Sequence, residues 1–266
     1  MVQTAMDEEV IQVKVLTKQE VAQDGRFMLL YGGTGVGKTC SSLQTAPDPV
    51  MYLQTEPRSL KPSLDAAGRP DLDIDVAVYE DWPGLIEFVA NPRNFERHRT
   101  IVVDSYSHLM SVGLSTEIED QAHEARTEKE RAVKPLASQT KLSQEGYGAL
   151  SSLMFRLTAA LGKLSRMGKI VIVTALLQEN PKWNRELAAA PALKGREFPV
   201  NMPGFFDLIG LVESRTDSDG RIIYPPRVRF QSPDESFVAK WTGAGSRTEG
   251  PLNITKILGL TKGEKK

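Results

Sequence analysis

A short apolar run, Phe27 to Tyr31, leads straight into GGTGVGKT and then into CSSLQTA, which reads as the start of a helix. The spacing is Gly32, four residues, Gly37, Lys38 and Thr39. This order of strand, glycine-rich turn and helix constrains the chain more tightly than any other stretch, because its parts share one stereochemical use. Glycines let the backbone take left-handed angles and approach a bulky anion, while successive N–H groups and the positive helix end face the negative charge. The segment is therefore a phosphate-binding loop of Gly32, Gly33, Thr34, Gly35, Val36, Gly37, Lys38 and Thr39, with Cys40 following as a small residue at the helix start. Lys38 is expected to reach the β and γ phosphates of a nucleoside triphosphate, and the Thr39 hydroxyl to ligate Mg²⁺. ATP and Mg²⁺ are the cofactors this implies.

Short β-branched runs alternate with helical patterns along the chain, which predicts an α/β fold with a mainly parallel sheet and crossover helices. Strands are expected over Phe27 to Tyr31, Val50 to Gln54, Ile74 to Tyr79, Thr100 to Val103, Lys169 to Thr174 and Leu208 to Glu213. Several are continuous apolar runs, as strands covered on both faces should be. Leu150, Leu153, Met154, Leu157, Leu161 and Leu164 recur at helix spacing, with Gly168 as a C-terminal stop. The charged stretch EIEDQAHEARTEKERAVK reads as a solvated helix broken by Pro135. After Glu213 the turn signal at Ser218 to Gly220, and a further extended run over Phe237 to Trp241, predict an antiparallel C-terminal edge. The expected organisation is an N-terminal extension (1–24), one ATPase domain (25–258) and a basic tail (259–266).

The 266 residues are 40% hydrophobic, enough for one sizeable core, and no apolar run approaches the ~20 residues that span a bilayer. The acidic start MVQTAMDEEV lacks the pattern of a secretory signal, so a cytoplasmic protein is expected. One cysteine and three histidines without ligand spacing argue against disulfides and structural zinc. A net charge of −1 excludes a polycation that holds nucleic acid by overall charge.

A bound metal needs a carboxylate besides Thr39, and TIVVDS supplies Asp104 at the end of an apolar strand, the position of a Walker B aspartate. The next residue is Ser105, which speaks against the Asp-Glu pair of AAA+ ATPases. Hydrolysis also requires a group that orients or deprotonates water. Glu56, just past the strand VMYLQ, would face the γ phosphate if that strand neighbours the phosphate-loop strand.

Taken in order, LLYGGTGVGKT, YLQTEPRSL, TIVVDS, GKIVIVTALLQE, PALKGREFPVNMPGFFDLI and FVAKWTGAG resemble the RecA-like ATPases. The closer likeness is to phage-encoded RecA-like proteins of the Sak single-strand annealing group. The resemblance implies a compact ATPase core with Glu56 and Lys38 as catalytic residues, acting as a homo-oligomer, ring or filament, in DNA recombination. It implies a polar γ-phosphate sensor on the strand after the amphipathic helix, for which Thr174 and Gln178 are both open. It also implies a lysine offered to the neighbouring subunit's site. Lys240 fits, although Thr242 stands where an arginine would follow and Arg247 is the nearest substitute.

Single-stranded DNA is the partner the resemblance implies, with a single-strand DNA-binding protein as a further one. The segment from Leu176 to Met202 interleaves Lys182, Trp183, Arg185, Lys194, Arg196 and Phe198, the residue types that pair with phosphate and stack on bases. Glu179, Glu186 and Glu197 offset that charge, and a structural loop or substrate lid accounts for the segment as well. Two other readings stay open: a small-molecule kinase built on the same loop, and a regulatory or motor ATPase acting on protein partners.

Overall fold

The computed structural model describes residues 16–21, 25–124, 142–242 and 248–260. A short helix, α1 (Lys18–Val21), precedes β1 (Arg26–Gly32), α2 (Lys38–Thr45), β2 (Val50–Gln54), α3 (Lys61–Ala67), β3 (Ile74–Val78) and α4 (Trp82–Ala90). Then come β4 (Thr100–Asp104), α5 (Tyr106–His108) running through a π-helical turn into α6 (Ser115–Glu124), and the long α7 (Gln144–Arg166). The chain continues through β5 (Ile170–Glu179), β6 (Ala189–Pro191), α8 (Glu197–Asn201), β7 (Leu208–Thr216), β8 (Ile222–Arg229), β9 (Lys240–Trp241), β10 (Glu249–Pro251) and α9 (Ile254–Ile257).

The strands form one sheet in the order β10-β8-β7-β1-β5-β4-β2-β3, with β6 added to β5 and β9 to β7. Pairings from β7 through β3 are parallel, and β8, β9 and β10 form the antiparallel edge. Strand periodicity sorts side chains onto two cores. Phe27, Leu29 and Tyr31 of β1 join Val171 and Val173 of β5 on one face, where the buried Leu150, Met154, Leu157, Leu161 and Leu164 of α7 cover them. Met28, Leu30 and Ile172 face the other way, beneath Leu43 of α2, Ala67 of α3 and Ile254 of α9. Leu153 is only partly buried at the margin of the first core.

Ser143 caps α7 by accepting from Gly146 N–H at 3.0 Å, and Gly168 leaves the helix at φ 88°. Asp217 organises the turn between β7 and β8, its Oδ1 accepting from the N–H groups of Asp219 and Arg221. Two sequence expectations change. The run Phe237 to Trp241 forms a ladder only over Lys240–Trp241; Phe237 makes a single isolated parallel bridge to Ala189 and buries its ring in the first core. And β2 does not neighbour β1: β5 and β4 lie between them. Residues 125–135, which hold much of the predicted charged helix and Pro135, together with Arg247, residues 1–15 and 22–24 of the predicted extension and 261–266 of the predicted tail, fall outside the described residues.

Candidate functional site

The glycine-rich loop turns from the C-terminal end of β1 into α2. At Gly32 the backbone runs so close to β7 that a Cβ would stand 2.3 Å from the Val212 carbonyl oxygen. Gly37, the N-cap of α2, has φ 95°, and a Cβ there would meet the Tyr224 ring at 2.9 Å. Both positions need glycine for reasons of space or angle. Lys38 folds back over the loop, its Nζ donating to the carbonyl oxygens of Gly32 at 2.9 Å and Gly33 at 2.8 Å. Burial pushes its pKa down to about 8, against the pull of the Asp104 and Glu56 carboxylates.

Asp104 ends β4 and is only 3% exposed. Its Oδ2 accepts from the Thr39 hydroxyl at 2.8 Å and from the Tyr52 hydroxyl at 2.5 Å, and its Oδ1 accepts from the Thr174 hydroxyl. Each donor comes from a different element: α2, β2 and β5. Hydrogen bonds from three elements fix the direction of the carboxylate. Burial and the adjoining carboxylate drive the Tyr52 phenol pKa upward, so it remains a donor.

Glu56 sits on the turn after β2. That turn is tied to the end of β4, because Thr55 N–H donates to the Asp104 carbonyl at 3.0 Å and the Thr55 hydroxyl donates to the Ser105 carbonyl at 2.9 Å. The Ser105 hydroxyl donates to Glu56 Oε1 at 2.9 Å, and Arg58 Nε donates to Glu56 Oε2 at 2.5 Å. The same guanidinium reaches Asp104 Oδ2 at 3.0 Å and Thr39 Oγ1 at 3.3 Å through Nη2. Glu56 thus reaches the site across β4, not from a strand beside β1.

Lys38, Thr39, Glu56, Arg58, Asp104 and Ser105 line one cleft of about 580 Å³, which also takes in Thr34, Gly35, Cys40, Gln44, Leu176 and Tyr224. The Thr39 hydroxyl and the Asp104 carboxylate present hard oxygen donors side by side, a pair that suits Mg²⁺. Among the described residues, no group of three or more acidic, histidine or cysteine side chains is arranged so that it could hold a metal ion.

Of the predicted residues, the cleft gathers Thr34, Gly35, Gly37, Lys38, Thr39, Cys40, Glu56 and Asp104. Gly32, Gly33 and Val36 hold the loop from behind, with Val36 against the second core. Gln178 does not line it. That residue lies beyond Leu176 on β5, where its backbone pairs with Ala190 of β6, and Thr174 is the polar residue of β5 that touches Asp104. Lys240 pairs at the level of Ile209, towards the start of β7, and donates from Nζ to the Pro203 carbonyl at 3.0 Å, so it stands apart from its own chain's cleft.

The segment from Leu176 to Met202 is not one loop. It begins as the end of β5, turns over residues 180–188 and returns as β6. Lys182 and Arg185 are exposed at the tip and Trp183 is half-buried beside them. Arg196 is exposed next to α8, whereas Lys194 is committed, donating to the Ser111 carbonyl at 3.2 Å and the Ser115 hydroxyl at 3.0 Å. Phe198 is fully buried against Phe155 and Tyr106 and offers no face for stacking.

Sequence reading missed Tyr52 and Arg58. Tyr52 looked like one more apolar strand residue, and only the sheet order reveals what its hydroxyl meets. Arg58, two residues after Glu56 with Pro57 between, carried a visible signal in a short, stiff acid-to-base spacing. A family model described as an AAA domain matches residues 24–241, and no curated protein matches the sequence. No helix among the described residues is long and apolar enough to cross a membrane.

Proposed function

We propose that this chain, which belongs to the AAA domain family of P-loop ATPases, binds ATP with Mg²⁺ in the cleft and hydrolyses it, coupling the cycle to single-stranded DNA. The observation that carries the reading is the convergence of Lys38 and Thr39, Asp104, and Glu56 on one cleft from three separate segments of chain. In this reading the loop N–H groups and the end of α2 cradle the phosphates. Lys38 exchanges its two carbonyl partners for phosphate oxygens, where its positive charge opposes the negative charge that gathers in the transition state. Bound Mg²⁺ would be held by Thr39 and Asp104 and would neutralise phosphate charge. Glu56, oriented by Ser105, accepts a proton from the attacking water.

The DNA part rests on the exposed Lys182 and Arg185 at the tip of the β5–β6 hairpin, with Trp183 alongside, and on the likeness to Sak-type annealing proteins. Assembly into a ring or filament, with Lys240 offered to a neighbouring subunit, belongs to the same reading. Turnover of purified protein, measured with and without single-stranded DNA, tests it. ATP hydrolysis that rises with DNA and is lost in Lys38→Ala supports the whole reading. Hydrolysis indifferent to DNA, with no DNA retained in the presence of a nonhydrolysable ATP analogue, removes the DNA part and leaves an ATPase acting on another partner.

A further inference from the structure

The Arg58 guanidinium stands between the two acids of the cleft. One edge meets Glu56 at 2.5 Å, and its Nη2 lies 3.0 Å from Asp104 Oδ2 and 3.3 Å from Thr39 Oγ1. Those last two oxygens are the ones that would ligate Mg²⁺. A divalent cation held by these two oxygens would need the space in front of them that Nη2 fills, so guanidinium and ion would compete for the place. The arginine also belongs to the looser part of the site. Its side chain is 46% exposed and projects from the turn after β2, whereas Asp104 and Thr39, which it touches, are buried. It therefore has room to swing out, and they do not.

From this geometry we infer that Arg58 is a built-in counter-cation: it occupies the metal position when no divalent ion is bound, and gives it up to the Mg²⁺ that enters with the nucleotide. The inference rests on the nucleotide reading above. Two consequences follow. Asp104 and Glu56 are never left together without a positive charge, so the cleft has little affinity for free divalent ions and takes the metal chiefly with phosphates. And the departure of Arg58 removes its bond to Glu56 Oε2, freeing that oxygen only once the metal is in place. A premature base is held in an ion pair until the substrate complex is complete.

The test titrates Mn²⁺ alone, without nucleotide, against the full chain, following free Mn²⁺ by electron paramagnetic resonance. With the resident charge removed, Arg58→Gln should bind Mn²⁺ about tenfold more tightly than wild type, as the loss of a partly exposed charge at close range implies. Adding Asp104→Asn to that variant should abolish the gain, which locates the ion. Arg58→Lys, a compact charge on a flexible stem, should lie between the two and serves if the glutamine variant fails to fold by circular dichroism. Mn²⁺ affinity unchanged or weakened in both Arg58 variants would overturn the inference. A parallel titration with a fluorescent ATP analogue and Mg²⁺ separates the two levels. If wild type binds the analogue and Mn²⁺ affinity is unmoved by Arg58, only the inference fails; if wild type does not bind the analogue, the nucleotide reading fails first.

Discussion

The two acids of the cleft are held in different ways. Asp104 closes an interior strand of the sheet and is gripped by hydroxyl groups from α2, β2 and β5, all buried. Glu56 rides on a turn, with one oxygen on Ser105 and the other on a half-exposed arginine. The first arrangement fixes a charge in place, as a metal site requires, because reorienting it would break bonds in three elements at once. The second lets a charge change partners at small cost, which suits a group that must engage water at one stage of a cycle and be restrained at another. The sheet supplies the rigid wall of the cleft, and the 55–60 turn supplies the adjustable one.

The largest effect should come from the adjustable wall. Glu56→Gln is expected to lower turnover by about 10²–10⁴ while leaving nucleotide affinity nearly unchanged, since the amide keeps the shape and loses the base. Equal loss of binding and turnover would mean that Glu56 is structural, and the contrast would collapse. On the rigid wall, Thr174→Val removes one donor to Asp104, with an expected weakening of metal affinity of about 10–100-fold. The same variant should lose about 1–3 kcal/mol of stability to urea. A silent Thr174→Val would show that the grip on Asp104 is redundant.

A third measurement uses Lys38, whose buried ammonium has a pKa lowered to about 8 from 10.5. The folded protein thus holds fewer protons than the unfolded chain between these two values. Folding stability from this group is accordingly lowest below pH 8 and recovers as pH rises from about 8 towards 10.5. Phosphate binding needs the charged amine, so ATP affinity should fall above pH 8, approaching tenfold per pH unit, and Lys38→Met should abolish that dependence. The smallest effect concerns the hairpin. Replacing Lys182 and Arg185 by glutamine should reduce the salt dependence of single-stranded DNA binding by about 0.7 per lost phosphate contact. Lys194→Gln should leave that slope unchanged, because its amine is spent on Ser111 and Ser115.

What could be read from the sequence follows from how local each signal is. The phosphate loop is contiguous, and Asp104 follows an unbroken apolar strand, so both are legible from neighbours in the chain. The position of Glu56 at the cleft is legible as well, by a route that the sheet order corrects: it comes from the far side of β4, reaching the cleft because the turn after β2 is tied to Asp104 and Ser105. Tyr52 stayed hidden because an aromatic in an apolar run reads as core, and its hydroxyl meets a residue 52 positions away. Lys194 and Phe198 were misread for the same reason. Their partners, Ser115 and Phe155, are distant in sequence, and an interleaved basic and aromatic run looks alike whether it faces solvent or the core. Strand adjacency decides these cases.

The strand β5 touches Asp104 through Thr174 and then runs on into the hairpin that carries Lys182 and Arg185. At about 3.3 Å per residue, Glu179 stands roughly 17 Å past Thr174 along one unbroken backbone. Successive residues of a strand point to opposite sides, so inserting or deleting one residue between these points would invert everything beyond it. The connection can lengthen or shorten only in steps of two, whereas residues 180–188 at the turn are under no such parity. Among descendants of this chain, variation in length should therefore accumulate at the tip of the hairpin and be absent from its stem.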